Sequence, residues 1–446
     1  MKKVIITSIC LIVFLVGTSI GLSEEEPTAE EVLISYLQEE ARSLEAIEDL
    51  SSLINEAGGK RLVLLGEASH GTSEYYEWRK KISRNLIEEK DFSFIAVEGD
   101  WPRCFPVNQY VKGQTDAEDA GELLIESFQR WPEWMWANED VLALIEWLRA
   151  YNQELPAEER VGFYGMDMQS FEESIQEVKG YLGSFEDEEI LALKEKYRVF
   201  EEYDYDNMLY ARATFFEGVN YQSEVQDMVE ALHKHSDELK EKGEEEYFNA
   251  LQNARVVKSA EKHGRYSVLG GPEGWNIRVQ HMEDTVYHLL ERYGAESQGI
   301  VWAHNTHVGD ARFTEMKDQG QINIGQLTRE ELGEENVFIV GFSTYEGTVM
   351  AGREWGATRE IMEVPSAKEG SIDNILAGVD RDSYWLLFDE EARQKEELIE
   401  RYGQRAIGVA YVPEREHLGN YVATILPQRY DALLFFRETQ SVTPLD

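Results

Sequence analysis

Between residues 28 and 57 the apolar positions Val32, Leu33, Leu37, Leu44, Ile47, Leu50 and Ile54 recur at helical spacing until Gly58 and Gly59 interrupt them, which predicts one or two helices. Beyond the glycines, short apolar runs at 61–66, 94–98 and 161–166 alternate with helical patterns at 73–90 and across 106–152. Strand, helix, strand at this spacing is the signature of a mainly parallel sheet covered by helices. From 172 to 293 the pattern is almost wholly helical, with long helices expected at 210–242 and 275–293, so a large helical insertion interrupts the sheet. Strands are then expected at 299–303, 337–342, 383–388, 406–411 and 432–436. The predicted fold is therefore α/β, a mainly parallel central sheet flanked by helices. Residues 24–58 form an N-terminal helical segment, 59–185 the first part of the core, 186–296 a helical subdomain and 297–446 the second part of the core.

The first 23 residues read differently. Lys2 and Lys3 precede an apolar run at 4–16, and small residues with Gly21 and Ser23 at the −3 and −1 positions follow, the pattern of a secretory signal peptide. The run is shorter than the roughly 20 residues of a membrane span. The expectation is a secreted or cell-envelope protein with no stable membrane insertion after cleavage, an uncleaved anchor being the other reading. Cys10 and Cys104 are the chain's two cysteines, so the cleaved chain has one thiol and neither an internal disulfide, a four-cysteine zinc site nor a redox pair.

Among 446 residues, 86 Asp and Glu stand against 43 Lys and Arg, a formal charge of −43 that repels phosphate backbones and excludes nucleic acid as a partner. The acids are spread along the chain, which describes a hydrated acidic surface and not a site. With 42% hydrophobic residues the chain has ample material for a core.

Ligands of open parallel sheets meet the carboxyl ends of the strands. Here the run 61–66 leads into Glu67 and then His70, the run 94–98 ends at Glu98 followed by Asp100, the run 161–166 ends at Asp167, and the run 299–303 leads into His304 and His307. A single acid after a strand commonly starts a turn or caps a helix; four such ends together point to a cleft. In the helix after His70, Thr72 or Ser73 can cap, and Tyr75, Ile82 and Leu86 form the buried stripe. Arg79 falls on that stripe, at i+4 from Tyr75. Its guanidinium either snorkels outward or is held by Glu67 or Glu98 and aimed into the cleft.

The segments LVLLGEASHGTSEYYEWRKKISRNLIEEKDFSFIAVEGDW, WPEWMWANEDVLALIEWLR, GFYGMDMQS, WNIRVQHM and IVWAHNTHVGDARFTEM, with the closing LPQRYDALLFF, resemble the successive motifs of the erythromycin esterase family from about Gly59 to the C-terminus. The resemblance implies hydrolysis of an ester or macrolide lactone, with antibiotic inactivation as its use. Carried over by position, the family's general base falls on His70, its acidic partner on Glu67, the active-site arginine on Arg79, the second glutamate on Glu98 and the histidine pair on His304 and His307. Trp136, Asp167, Trp275, Arg278 and His281 are candidates for lining the substrate cleft, with Trp131 and Trp134 as further parts of an apolar wall. Departures from the family pattern fall at Ala137, where Arg commonly follows W-M-W, at Val279, and at Gly419, Asn420 and Tyr421, where the family has S-H-Y. They spare the matched catalytic positions and bear on the substrate.

A neutral imidazole can take a proton from water near pH 7, so His70 is expected to activate water, Glu67 or Glu98 to fix its tautomer, and Arg79 with His304 or His307 to support the oxyanion. No G-x-S-x-G elbow accompanies Ser69, which disfavours a serine nucleophile. No cofactor is required by this chemistry. The alternatives are a hydrolase using a divalent metal, for which Glu67, His70, Glu98, His304 and His307 have suitable ligand types, and a non-catalytic envelope protein that binds a ligand such as haem. His233, His235, His263 and His288 are expected to face solvent or pack. N-terminal sequencing of the exported protein is expected to begin near Glu24; a cytoplasmic protein retaining Met1 would contradict export.

Overall fold

A computed structural model describes residues 28–396 and 398–446, so the expected signal peptide lies outside the described residues. Helix Ala29–Glu40 opens the described chain, and a reciprocal capping box of Thr28 and Glu31 starts it. The strands, in chain order, are β1 (Arg42–Ser43), β2 (Leu62–Leu65), β3 (Phe94–Asp100), β4 (Gly162–Asp167), β5 (Gly299–Trp302), β6 (Val337–Ala351), β7 (Glu360–Val364), β8 (Ser383–Leu387), β9 (Tyr402–Arg405), β10 (Tyr421–Thr424) and β11 (Ala432–Thr439). The main sheet has the order β1-β8-β11-β6-β2-β5-β3-β4, with β7 added to the far part of β6, while β9 and β10 form a separate ribbon. From β11 to β4 every neighbouring pair is parallel; β8 and β1 continue antiparallel at one edge. The fold class is the expected one, a mostly parallel sheet flanked by helices.

Alternation along the strands assigns the two faces. Val63 and Leu65 of β2, Ile95 and Val97 of β3, and Ile300 and Trp302 of β5 pack into one apolar layer with helices Ser73–Lys90, Trp101–Val111 and Glu139–Gln153. Leu62 and Leu64, Phe94 and Ala96, and Val301 pack into the opposite layer with helix Glu273–Tyr293. The helical insertion adds its own core, in which Ile175, Phe200, Tyr210, Met228 and Leu251 take part.

Three elements differ from the periodicity. The long helix expected at 210–242 is divided into Asn207–Glu217, Gln222–Lys234 and Ser236–Leu239, because Gly218 adopts φ 73° and closes the first piece. β6 runs past 342 to Ala351, its extension paired with β11 and β7. The apolar run 406–411 is not a strand: it makes only isolated bridges, Ser69 to Ile407 and Gly352 to Ala410, while Ile407 and Tyr411 pack in a small satellite core with Val349 and Met362. Burial of those side chains, not sheet pairing, accounts for that run.

β2 is the central strand, and Gly66 carries it into the segment that bears Glu67. The Gly66 N–H donates to the Val340 carbonyl at 2.8 Å. A Cβ at Gly66 would collide with Asn305 Oδ1, and Asn305 in turn ties the segment after β5 to β6 by donating to the Phe342 carbonyl at 2.7 Å. Gly66→Ala is therefore expected to lower stability by about 1–3 kcal/mol, the cost of overpacking, in urea unfolding; an unchanged midpoint would show that Asn305 yields freely.

Candidate active site

Sheet parity sends the two buried glutamates to different arginines. Glu67 continues the Val63, Leu65 row toward helix Ser73–Lys90, whereas Glu98 continues the Phe94, Ala96 row toward helix Glu273–Tyr293. Glu67 Oε2 stands 2.7 Å from Arg79 Nη2, and the guanidinium lies between the Tyr76 ring at 4.4 Å and the Trp302 ring at 4.8 Å. The opposite charges touch, although no guanidinium N–H points along the line to a carboxylate oxygen. Ionic attraction and two aromatic faces hold the group.

The other oxygen of Glu67 faces His70: Oε1 and Nδ1 are 2.8 Å apart. Tyr76 steadies the same residue by donating its hydroxyl hydrogen to the His70 carbonyl at 2.8 Å. Burial works against a charge on His70, but the bond to Glu67 and its charge outweigh burial and raise the imidazole above its ordinary 6.5. With Glu67 accepting at Nδ1, the neutral ring keeps its lone pair on Nε2.

Glu98 gathers a second network. Its Oε1 accepts from Arg278 Nη2 at 2.8 Å and lies 3.2 Å from His307 Nε2, while its Oε2 accepts the backbone N–H of His304 at 2.9 Å. Arg278 also grips Asp167 with a fork, Nε to Oδ1 at 3.0 Å and Nη2 to Oδ2 at 2.7 Å. Burial alone would raise the Glu98 carboxyl; the contacts with His307 and Arg278 hold it well below the usual carboxylate range. Burial is likewise overcome at Asp167 by the Arg278 fork, which lowers its pKa. Trp275 stacks on His307, ring centres 4.4 Å apart and planes within 7°.

His304 begins the short helix Asn305–Val308, and its Nδ1 accepts the Thr306 N–H at 3.2 Å with the Thr306 hydroxyl at 2.8 Å. The proton of the neutral ring therefore sits on Nε2, which is buried beside the Ala68 backbone. Burial and the neighbouring His70 keep His304 well below 6.5. The His70 and His304 ring centres are 5.0 Å apart.

These groups border a cavity of about 420 Å³ lined by His70, Glu98, Asp167, Arg278, His304 and His307, with Trp136 and Trp275. Glu67 and Arg79 are not in its lining. Arg79 has no exposed surface, so the expectation that it reaches the cleft is corrected: it stands behind Glu67, sealed by Tyr76 and Trp302. His281 is corrected too. It faces a separate cavity, where Ser259 Oγ lies 3.0 Å from its Nδ1, nearly one turn further along the helix that carries Arg278. Trp131 lines the cavity, whereas Trp134 is wholly buried in the core.

Periodicity did not point to Trp355, in the loop between β6 and β7, which meets Trp131 edge-on at 4.8 Å and completes the rim. Nor did it point to Ala406, Gly408, Val409 and Gly419, which form part of the lining. Gly419 is one of the positions where the chain departs from the family motif. Burial pushes the Cys104 thiol well above its ordinary range, which makes it a poor nucleophile. Among the described residues, no three His, Cys, Asp or Glu side chains are grouped to hold a metal ion.

A mostly parallel α/β sheet with carboxylates, arginines and histidines converging at its carboxyl edge has the architecture of an α/β enzyme. The family model described as Erythromycin esterase matches residues 87–439, and the chain belongs to that family of ester hydrolases. The match starts within helix Ser73–Lys90, so Glu67, His70 and Arg79 precede it. A relative, erythromycin esterase type II of Escherichia coli, is 21% identical over 353 residues, covering 74% of this chain and 81% of that protein. A crystal structure of a Bacillus cereus protein superposes with a TM-score of 0.77 at 20% identity, covering 94% of this chain and 100% of that one. An erythromycin esterase mutant in its open conformation gives 0.64 at 16% identity, covering 90% and 96%. The two structural likenesses show the fold.

Replacing Arg79 by leucine would leave Glu67 buried beside aromatic rings without its cation. Arg79→Leu is expected to cost about 3–5 kcal/mol, the scale for breaking a buried pair, when unfolding is followed in guanidinium chloride. A loss below about 1 kcal/mol, the scale of an exposed pair, would mean that Glu67 has another route to compensation.

Proposed function

We propose that the protein is an exported hydrolase that opens a carboxylic ester, with a macrolide lactone as the substrate class, using water activated by His70. The observation that carries this reading is the Glu67–His70 couple, 2.8 Å long, with the imidazole lining the cavity and the carboxylate sealed behind it. A water beside His70 attacks the ester carbonyl carbon as its proton passes to Nε2. The carbonyl oxygen becomes an oxyanion, with His304, which lines the cavity with its ring centre 5.0 Å from that of His70, as the nearby donor. Collapse breaks the bond to the alkoxide, and His70 returns the proton to that leaving group. Base catalysis contributes roughly 10²–10⁴-fold and one oxyanion donor roughly 10²–10³-fold in such reactions.

Glu67 is a positioning residue in this scheme: it fixes the tautomer and favours the imidazolium formed during attack. Arg79 acts through Glu67. Glu98, Arg278, His307 and Asp167 set the opposite wall and anchor the His304 backbone. The aromatic rim of Trp131, Trp136 and Trp355 suits an apolar ester, and the name of the Escherichia coli relative favours a macrolide.

Mass spectrometry of a macrolide panel incubated with the protein tests the reaction; the expected product gains one water. His70→Gln is expected to lower kcat by roughly 10²-fold or more with the fold retained, and near wild-type turnover would refute the base. Since His70 must be neutral to accept the proton and its pKa is raised, activity should rise with pH through an inflection above 6.5. Glu67→Gln removes the charge that raises it, so the inflection should move down; an unmoved inflection would assign the titration to another group.

A further inference from the structure

The helical insertion contains a second cavity, of about 310 Å³, between helices Glu244–Ser267 and Glu273–Tyr293. Its walls follow helical spacing: Arg255, Ser259 and Lys262, with Lys258, come from the first helix, and His281, Asp284 and His288 from the second. In a chain with twice as many acids as bases, this lining is inverted. Three cations and one carboxylate, Asp284, line it, with Glu291 acting on Arg255 from outside the lining. None of Arg255, Lys258 and Lys262 forms an ion pair with a described residue, whereas Lys80, Lys112 and Lys179 do. The hydrogen bond of Arg255 goes to Gln252 Oε1 at 3.3 Å, a neutral acceptor.

Two imidazoles line the same space. His281 is 3% exposed and its Nε2 is buried without a hydrogen-bond partner; the Nδ1 of His288 is in the same condition. Buried polar atoms are rarely left unpaired, and two of them on residues that line one polar cavity mark a place for a partner. Burial holds His281 at about 4, and burial together with Arg255 holds His288 at about 3, so both rings are neutral near pH 7. Each then keeps one N–H. With the Ser259 hydroxyl donating to His281 Nδ1, that N–H is on the unpaired Nε2.

We propose that this cavity is a binding site for a phosphate-type oxyanion, either free phosphate or the phosphoryl end of a small metabolite. The lining carries more cations than carboxylates, which favours an anion, and the number of its donors favours one with several oxygens over a single carboxylate. The guanidinium, two ammonium groups and imidazole N–H supply donors from both helices to the several oxygens of such a group. The site is separate from the sheet-edge cavity, yet helix Glu273–Tyr293 presents Arg278 to one and His281 to the other.

Isothermal titration of the whole protein at constant ionic strength, with inorganic phosphate, glycerol 3-phosphate and acetate in separate runs, tests the assignment. The expected result is one phosphate or phosphate monoester per chain, bound more tightly than acetate. Lys258→Gln with Lys262→Gln changes two exposed side chains, so the fold should persist while affinity falls roughly tenfold or more. Tighter binding of inorganic phosphate identifies the free ion, and tighter binding of the monoester identifies a phosphorylated metabolite. Histidine ring NMR signals of His281 and His288 should shift on addition of phosphate. Absence of binding by both phosphates, acetate binding as tightly, affinity unchanged in the double variant, or fixed histidine signals would each overturn the site.

Discussion

A carboxylate sealed from water at the end of a parallel strand needs a cation, and the cation needs a place that will hold it. Glu67, 1% exposed, meets this condition with Arg79, which is wholly buried. Removing two such ions from water costs several kcal/mol each, and the aromatic faces of Tyr76 and Trp302 recover part of that for the arginine. The second consequence is directional. Once Oε2 is committed to Arg79, Oε1 is left for His70 Nδ1, so a pair deep in one helix–sheet layer determines the orientation of an imidazole at the cavity wall.

The same sheet prepares its other carboxylate by an offset of one residue. Register places Leu65 beside Trp302, and Trp302 beside Val97. Glu98 is one position past that row and Glu67 two past it, so they fall on opposite faces. Had both been on the Arg79 side, two negative charges would share one guanidinium. Instead Glu98 meets Arg278 from the last helix of the insertion, and the fork from Arg278 to Asp167 ties β3, β4 and that helix together. The insertion thereby supplies part of the site as well as a separate core.

What local periodicity encodes was legible before the structure: the central strands, helix Ser73–Lys90 with Arg79 on its buried stripe, and the gathering of Glu67, His70, Glu98, Asp167, His304 and His307 at one edge. Partner choice was not. Glu98 and Arg278 are 180 residues apart, and only the strand parity combined with the packing of the insertion decides that Arg278, not Arg79, takes Glu98. His281 lay in the same motif as Trp275 and Arg278, but the cavity that each residue meets depends on which element the helix passes at that turn. Trp355 sits in a polar loop with no period, so nothing local distinguishes it from an exposed tryptophan. The run 406–411 misled because burial in a small satellite core leaves the same apolar signature as a buried strand.

The pair of rings beside the cavity shows what these contacts accomplish electrostatically. Two imidazolium charges 5.0 Å apart would repel by about 3 kcal/mol at an effective dielectric constant of about 20, so the two histidines cannot be treated as independent. Glu67 biases the contest by raising His70, while burial and that neighbour lower His304. Thr306 then removes the remaining ambiguity, since its N–H occupies Nδ1 of His304 and leaves the proton on Nε2. One ring is thus disposed to take a proton while the other stays neutral beside it. Equal environments would give two interchangeable bases; the buried Glu67–Arg79 pair makes them different.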